Sequence, residues 1–199
     1  MNRSKVIMRH SLSLLAILPL LACVPAAFPG PTASLPFDAV QGAGDPTRSA
    51  IFSTAYAFNN PGGLAYPAVA ARASANLEWL ATSIPQDPRY SYAPTLNGQL
   101  ALARAELHAA LLVAPGAPPQ AVVDGLYGAH RALRAGDRAG AVRALPALAF
   151  PDGKATLLRL AAMPPMPQAA AAMAAAEGEL NRTDQDRLNG RRSGGGRRG

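Results

Sequence analysis

The stretch PAVAARASANLEWLATSIP, residues 67–85, carries the clearest helical signature in the chain. Val69, Ala73, Leu77, Leu80 and Ile84 recur at spacings of four, four, three and four, which places them on one face of an α-helix, with Arg72, Asn76 and Ser83 largely on the other. Pro67 suits the first helical position because its missing amide would be unpaired there anyway. Pro85-Gln-Asp-Pro88 closes the helix, since proline cannot continue it.

The same punctuation repeats outward from this segment. On the N-terminal side, Asp45-Pro46 reads as a cap and first turn, Ile51, Phe52, Ala55, Tyr56 and Phe58 fall on one stripe, and Asn59-Asn-Pro-Gly-Gly63 ends the helix. On the C-terminal side, Arg89–Gly98 reads as a loop containing Tyr90, Tyr92 and Pro94. Leu100, Ala103, Leu107, Ala110 and Leu111 then define a third helix that ends before Pro115. A fourth starts around Pro119, carries Val122, Val123, Leu126, Tyr127, Ala129 and Leu133, and stops at Gly136. Asp137 caps a short fifth helix, limited by Pro146. Ala155 to Met163 makes a sixth, and Gln168 to about Arg182 a last, alanine-rich helix with little side chain to bury.

No segment alternates β-branched and aromatic residues as a strand would. The expected class is all-α: a small irregular bundle of about five to seven short helices over residues 45–182. A disordered Pro/Gly-rich tether over 23–44 and a disordered Arg/Gly-rich tail over 183–199 flank it. Within the tether, Phe28, Leu35, Phe37 and Val40 are apolar enough for part of it to lie along the domain.

The first 22 residues read as a signal peptide. Arg3, Lys5 and Arg9 form a basic start, and Ser11–Leu21 is an apolar run too short to span a bilayer. Met8 opens an equally good shorter version of it. The join Leu20-Leu-Ala-Cys23 resembles the lipobox of bacterial lipoproteins, with a larger residue than usual at Leu21. That resemblance implies cleavage before Cys23, acylation of the cysteine and permanent membrane anchoring. In that class an aspartate after the cysteine commonly signals inner-membrane retention. Val24 stands there, so the resemblance points to the periplasmic face of the outer membrane. Further on, Leu133-Arg-Ala-Gly-Asp137 with Ala141 and Leu145 resembles the turn of tetratricopeptide-type hairpins over about 13 residues. The preceding helix lacks that family's Trp/Leu/Gly/Tyr signature, and no second copy follows at its period.

The formal charge of +7 is concentrated at the two ends. The signal takes three positive charges and Arg191, Arg192, Arg197 and Arg198 four. From residue 23 to 190, twelve basic residues balance twelve acidic ones. A neutral body argues against a nucleic-acid-binding face, which needs basic residues against phosphates. The terminal arginines could meet anionic headgroups beside the anchor.

Catalytic signals are sparse. His108, with Arg104 one turn before it, and His130 lack the spacings of a metal site, and there is neither a Gly-x-Ser-x-Gly nor a phosphate-binding Gly-rich loop. Glu78 and Glu106 are the carboxylates that a glycosidase pair would draw on. Tyr66, Trp79, Tyr90 and Tyr92 could line a groove for a partner or glycan; alternatively Trp79 is core or core edge and the loop tyrosines cover it. No catalytic, metal or cofactor residue is assigned. The expected function is that of a non-catalytic envelope lipoprotein, anchored through lipid on Cys23, serving as a protein-interaction or structural accessory module with an envelope protein as partner. A small apolar or glycan ligand bound between helices is the alternative, and cell-wall hydrolysis a distant one. A protein partner predicts an exposed apolar patch, a ligand a closed apolar cavity, and hydrolysis a cleft with a buried glutamate.

Overall fold

The computed structural model describes residues 30–39 and 44–194. Among them are seven α-helices and no strand: α1 Pro46–Asn59, α2 Pro67–Ser83, α3 Pro94–Leu111, α4 Pro119–Arg134, α5 Arg138–Ala144, α6 Gly153–Ala161 and α7 Pro167–Gly194. The chain is therefore all-α, as its punctuation indicates. The signal region with Cys23, and with it Phe28 and Val40, lies outside the described residues.

The two expected caps are in place: the Asp45 side chain accepts from the amide of Thr47 and Asp137 from Gly140, each satisfying one of the free donors of a first turn. Asp152, not singled out in the sequence, caps α6 in the same way by accepting from Ala155. Gly136 ends α4 with a φ of 75°, the left-handed conformation that glycine adopts without strain, and the amide of Asp137 reaches back to the carbonyl of Ala132.

Helix α2 is the hub and packs against α1, α3, α4 and α6. Its buried residues include Leu77, Leu80 and Ala73 from the predicted stripe, but also Asn76 and Glu78. Asn76 was expected away from the core. With neighbours on several sides the helix has almost no solvent face, so its polar residues are buried and must find partners. Asn76 accepts a hydrogen bond from the Tyr127 hydroxyl of α4.

Three other details differ from expectation. Helix α3 begins at Pro94, inside the segment read as a loop, and Leu96 is its first core residue. Proline at the first position is a helix start here, and Gly98 is carried within the helix. Tyr56 is on the outside, 68 % exposed, because α1 turns Ala50, Ile51, Thr54, Ala55 and Ala57 inward and only half-buries Phe52 and Phe58. Helix α7 continues past Arg182 to Gly194. Ala169, Ala172, Met173, Ala176 and Leu180 form its buried face against α1 and α3, and the small side chains allow close approach.

Residues 30–39 lie along the domain as a strap. Ala33 is buried, Leu35 packs on the core, and Gln120 bonds both the amide and the carbonyl of Ser34. Phe37 points away, 97 % exposed.

The contact of α4 with α5 and the following turn requires a glycine. A Cβ at Gly125 would stand 2.7 Å from Pro146 Cδ and 3.0 Å from Phe150 Cε2. Gly125→Ala is expected to cost about 1–3 kcal/mol as an overpacked contact. Gly178→Ala in α7, where a Cβ meets nothing within 4 Å, should instead stabilise by about 0.5–1 kcal/mol. Thermal unfolding of the two variants checks the opposite signs.

Candidate functional site

Glu78 is the one carboxylate fully buried among the described residues, and its burial organises the site. Arg104 and His108 stand four apart on α3 and so share a face opposite α2. Both reach Glu78. Oε1 accepts from Arg104 Nε at 2.9 Å and Nη2 at 2.7 Å, and Oε2 pairs with His108 Nε2 at 2.7 Å. Glu78 has no exposed side-chain surface, whereas the side chains of Arg104 and His108 keep 30 % and 21 % of theirs.

Burial alone would raise the Glu78 pKa. The hydrogen bonds from His108 and Arg104, and their positive charge, outweigh it and hold the carboxyl below its ordinary value of 4.5. An ionised carboxylate only accepts, so His108 Nε2 donates and its Nδ1 is the remaining ring nitrogen.

Beside this cluster is an open cleft of about 620 Å³. Arg104, His108, Thr82 and Gln86 contribute its polar lining, and Gly30 and Pro31 of the strap form part of its rim. Thr82 donates to the carbonyls of its own helix and Gln86 to the carbonyl of Gly30. The cleft presents cationic and amide groups, with the carboxylate behind them. It is not the closed apolar cavity expected for an apolar ligand.

Glu106 has a different task. Its Oε2 accepts from the amide of Ala169 at 2.9 Å, capping the start of α7. Glu78 and Glu106 are therefore both engaged within the fold. His130 is half-buried and its Nδ1 lies 2.7 Å from the carbonyl of Ala68, a contact in which only the ring can donate. Among the described residues, no group of three or more His, Cys, Asp and Glu side chains is placed to hold a metal ion.

The four aromatic candidates are dispersed. Tyr66 is 73 % exposed in a cleft with Leu133 and Arg138. Trp79 is half-buried against the core, at the core edge. Tyr90 is buried and lines a different, small cleft with Leu180 of α7. The Tyr92 hydroxyl is 2.6 Å from Thr183 Oγ1, with the Arg182 guanidinium 4.3 Å from its ring centroid. Tyr90 and Tyr92 thus help seat α7 on the domain. Arg191 and Arg192 fall in the last turns of α7, and Arg197 and Arg198 lie outside the described residues.

A second group went unrecognised in the sequence. Arg72 of α2 and Arg131 and Arg134 of α4 line one cavity with Asp38 of the strap. Only the spacing of Arg131 and Arg134, one turn apart, was a signal, and an overall neutral body gave no reason to look for a local excess of charge.

No family model, curated protein or solved structure matches the chain.

Proposed function

We propose that this chain is a non-catalytic, membrane-anchored envelope lipoprotein whose helical domain acts by binding, as an interaction or accessory module. The anchor is supported by the basic start, the apolar run and Leu20-Leu-Ala-Cys23. The non-catalytic half of the reading is supported by one observation above all: both oxygens of Glu78 are already taken by Arg104 and His108. A hydrolytic acid must carry a proton and touch its substrate. Glu78 is held ionised and out of contact with solvent, while its partners Arg104 and His108 are the charged and imidazole groups that line the cleft.

Membrane fractionation with mass spectrometry tests the anchor. The N-terminal peptide is expected to carry acyl mass on Cys23, and Cys23→Ser is expected to move the protein to the soluble fraction. An unmodified Cys23 in a soluble protein would overturn the anchor. The second half is tested by incubating purified protein with peptidoglycan, from which no soluble fragments are expected. Fragment release that disappears in Glu78→Gln would establish a hydrolase instead.

A further inference from the structure

The cavity between α2, α4 and the strap has a charge pattern that the preceding reading leaves unused. Its volume is about 620 Å³, and Arg72, Arg131, Arg134, His130, Tyr127 and Asp38 line it. Arg131 and Arg134 are one turn apart on α4, and Arg72 comes from the neighbouring helix α2. Three arginines lining one space repel one another, and like charges one turn apart destabilise a helix surface. Among the described residues Arg72 and Arg134 make no ion pair.

The single carboxylate in the lining already behaves as an anionic occupant. Asp38 takes Arg131 side-on, with Oδ2 2.6 Å from Nε and Oδ1 2.7 Å from Nη2, the two-pronged geometry that guanidinium offers to carboxylate and phosphate alike. It arrives from the strap, 93 residues away in sequence. Burial, together with the three arginines and against the hydrogen bond to Ala68, holds the His130 pKa below its ordinary value, which favours the neutral ring. The lining thus carries three positive charges against one negative, and the surplus matches one doubly charged anion.

We propose that this cavity binds a phosphate-type dianion, held chiefly by Arg72 and Arg134, with Asp38 as an intramolecular carboxylate that occupies Arg131 and competes with the ligand. The recognising chemistry is the same for a free phosphate or phosphomonoester and for a phosphomonoester lipid headgroup. The proposal rests on the cavity lining alone and stands whether or not Cys23 carries lipid.

Isothermal titration calorimetry of the full-length chain with inorganic phosphate, in a low-salt buffer free of phosphate, tests it. One saturable site is expected. Arg72→Gln and Arg134→Gln should each weaken it about tenfold or more, the cost of a lost charge-assisted hydrogen bond. Asp38→Asn should tighten it by removing the competitor. Arg134 is exposed, so Arg134→Gln serves as the surface substitution should Arg72→Gln impair folding, which circular dichroism reports. Absence of saturable binding, or an affinity unchanged in both arginine variants, overturns the proposal.

A second arm separates the sources. It uses the full-length Cys23→Ser chain, so that no acyl group contributes, with phosphatidylcholine vesicles with and without phosphatidic acid. Binding that requires phosphatidic acid and is displaced by inorganic phosphate supports the site and makes its source a headgroup. Saturable phosphate binding without vesicle binding supports the site with a soluble ligand. Vesicle binding that neither arginine variant alters, in a chain that does not bind phosphate, overturns the site.

Discussion

Arg104→Ala is expected to lower the stability of the domain by about 3 kcal/mol, the lower end of the range for breaking a buried ion pair. The reason is the partner left behind. Glu78, fully buried in the wild type, loses both donors to Oε1 and keeps only His108. The partial exposure of Arg104, 30 % of its side chain, keeps the cost from the upper end because water can reach the vacated space. For a domain of this size the loss corresponds to about 6–12 °C in Tm. Pairing the substitution with Glu78→Gln should recover part of it, since the double variant buries no charge. Purely additive losses in thermal or urea unfolding would show that the pair is not coupled.

The same cluster sets an acid limit. The Glu78 carboxyl has its folded pKa below the unfolded value, so its contribution is complete above the unfolded pKa and disappears as pH falls through the folded one. Wild type should therefore lose stability on acidification below about pH 4, in the range of ordinary carboxylates. Glu78→Gln should lose less over that interval. In Arg104→Ala burial meets less opposition, so the folded pKa moves up toward the unfolded one and the acid-induced loss from this group should be smaller than in wild type. A series of melting curves from pH 7 to pH 3 distinguishes the three proteins.

Phe150→Ala should cost about 4 kcal/mol, as truncation of a buried aromatic ring commonly does. Phe150 is fully buried although it belongs to a turn, and its amide donates to the carbonyl of Pro146 at 2.8 Å. Its ring fills the space against Gly125 and ties the turn after α5 to α4. Combined with Gly125→Ala the loss should be less than additive, because the new methyl group would enter the vacated volume. Leu148→Ala, at a side chain 67 % exposed in the same turn, should stay within about 0.5 kcal/mol of wild type. Urea titrations of wild type and the four variants decide this. A Phe150→Ala loss under about 1 kcal/mol would mean that the ring does not join these elements.

Helix positions were largely legible because their signals act over a few residues. Pro46, Pro67 and Pro119 each opened a helix where expected, and Asp45, Asp137 and Asp152 each accept from a first-turn amide. The miss at α3 came from the same residue type used differently. Pro94 follows a tyrosine-rich segment with turns, where proline reads equally as loop or as helix start, and the burial of Leu96 beneath neighbouring elements accompanies the second choice. Tyr56 was misplaced because a stripe of large apolar residues identifies a face without saying how far a neighbouring helix covers it.

By itself the sequence determined the all-α class, the approximate order and extent of the helices, and the local caps, since propensity, proline geometry and first-turn hydrogen bonds are settled among near neighbours. Tertiary structure alone decided which polar groups meet. Glu78 finds Arg104 and His108 26 and 30 residues away, and Asp38 finds Arg131 across 93. Those meetings depend on the rotation of each helix about its axis against its neighbours, and on a strap folded back over the bundle. Neither is written in the periodicity of a single segment, because period defines a face and only packing defines what that face meets.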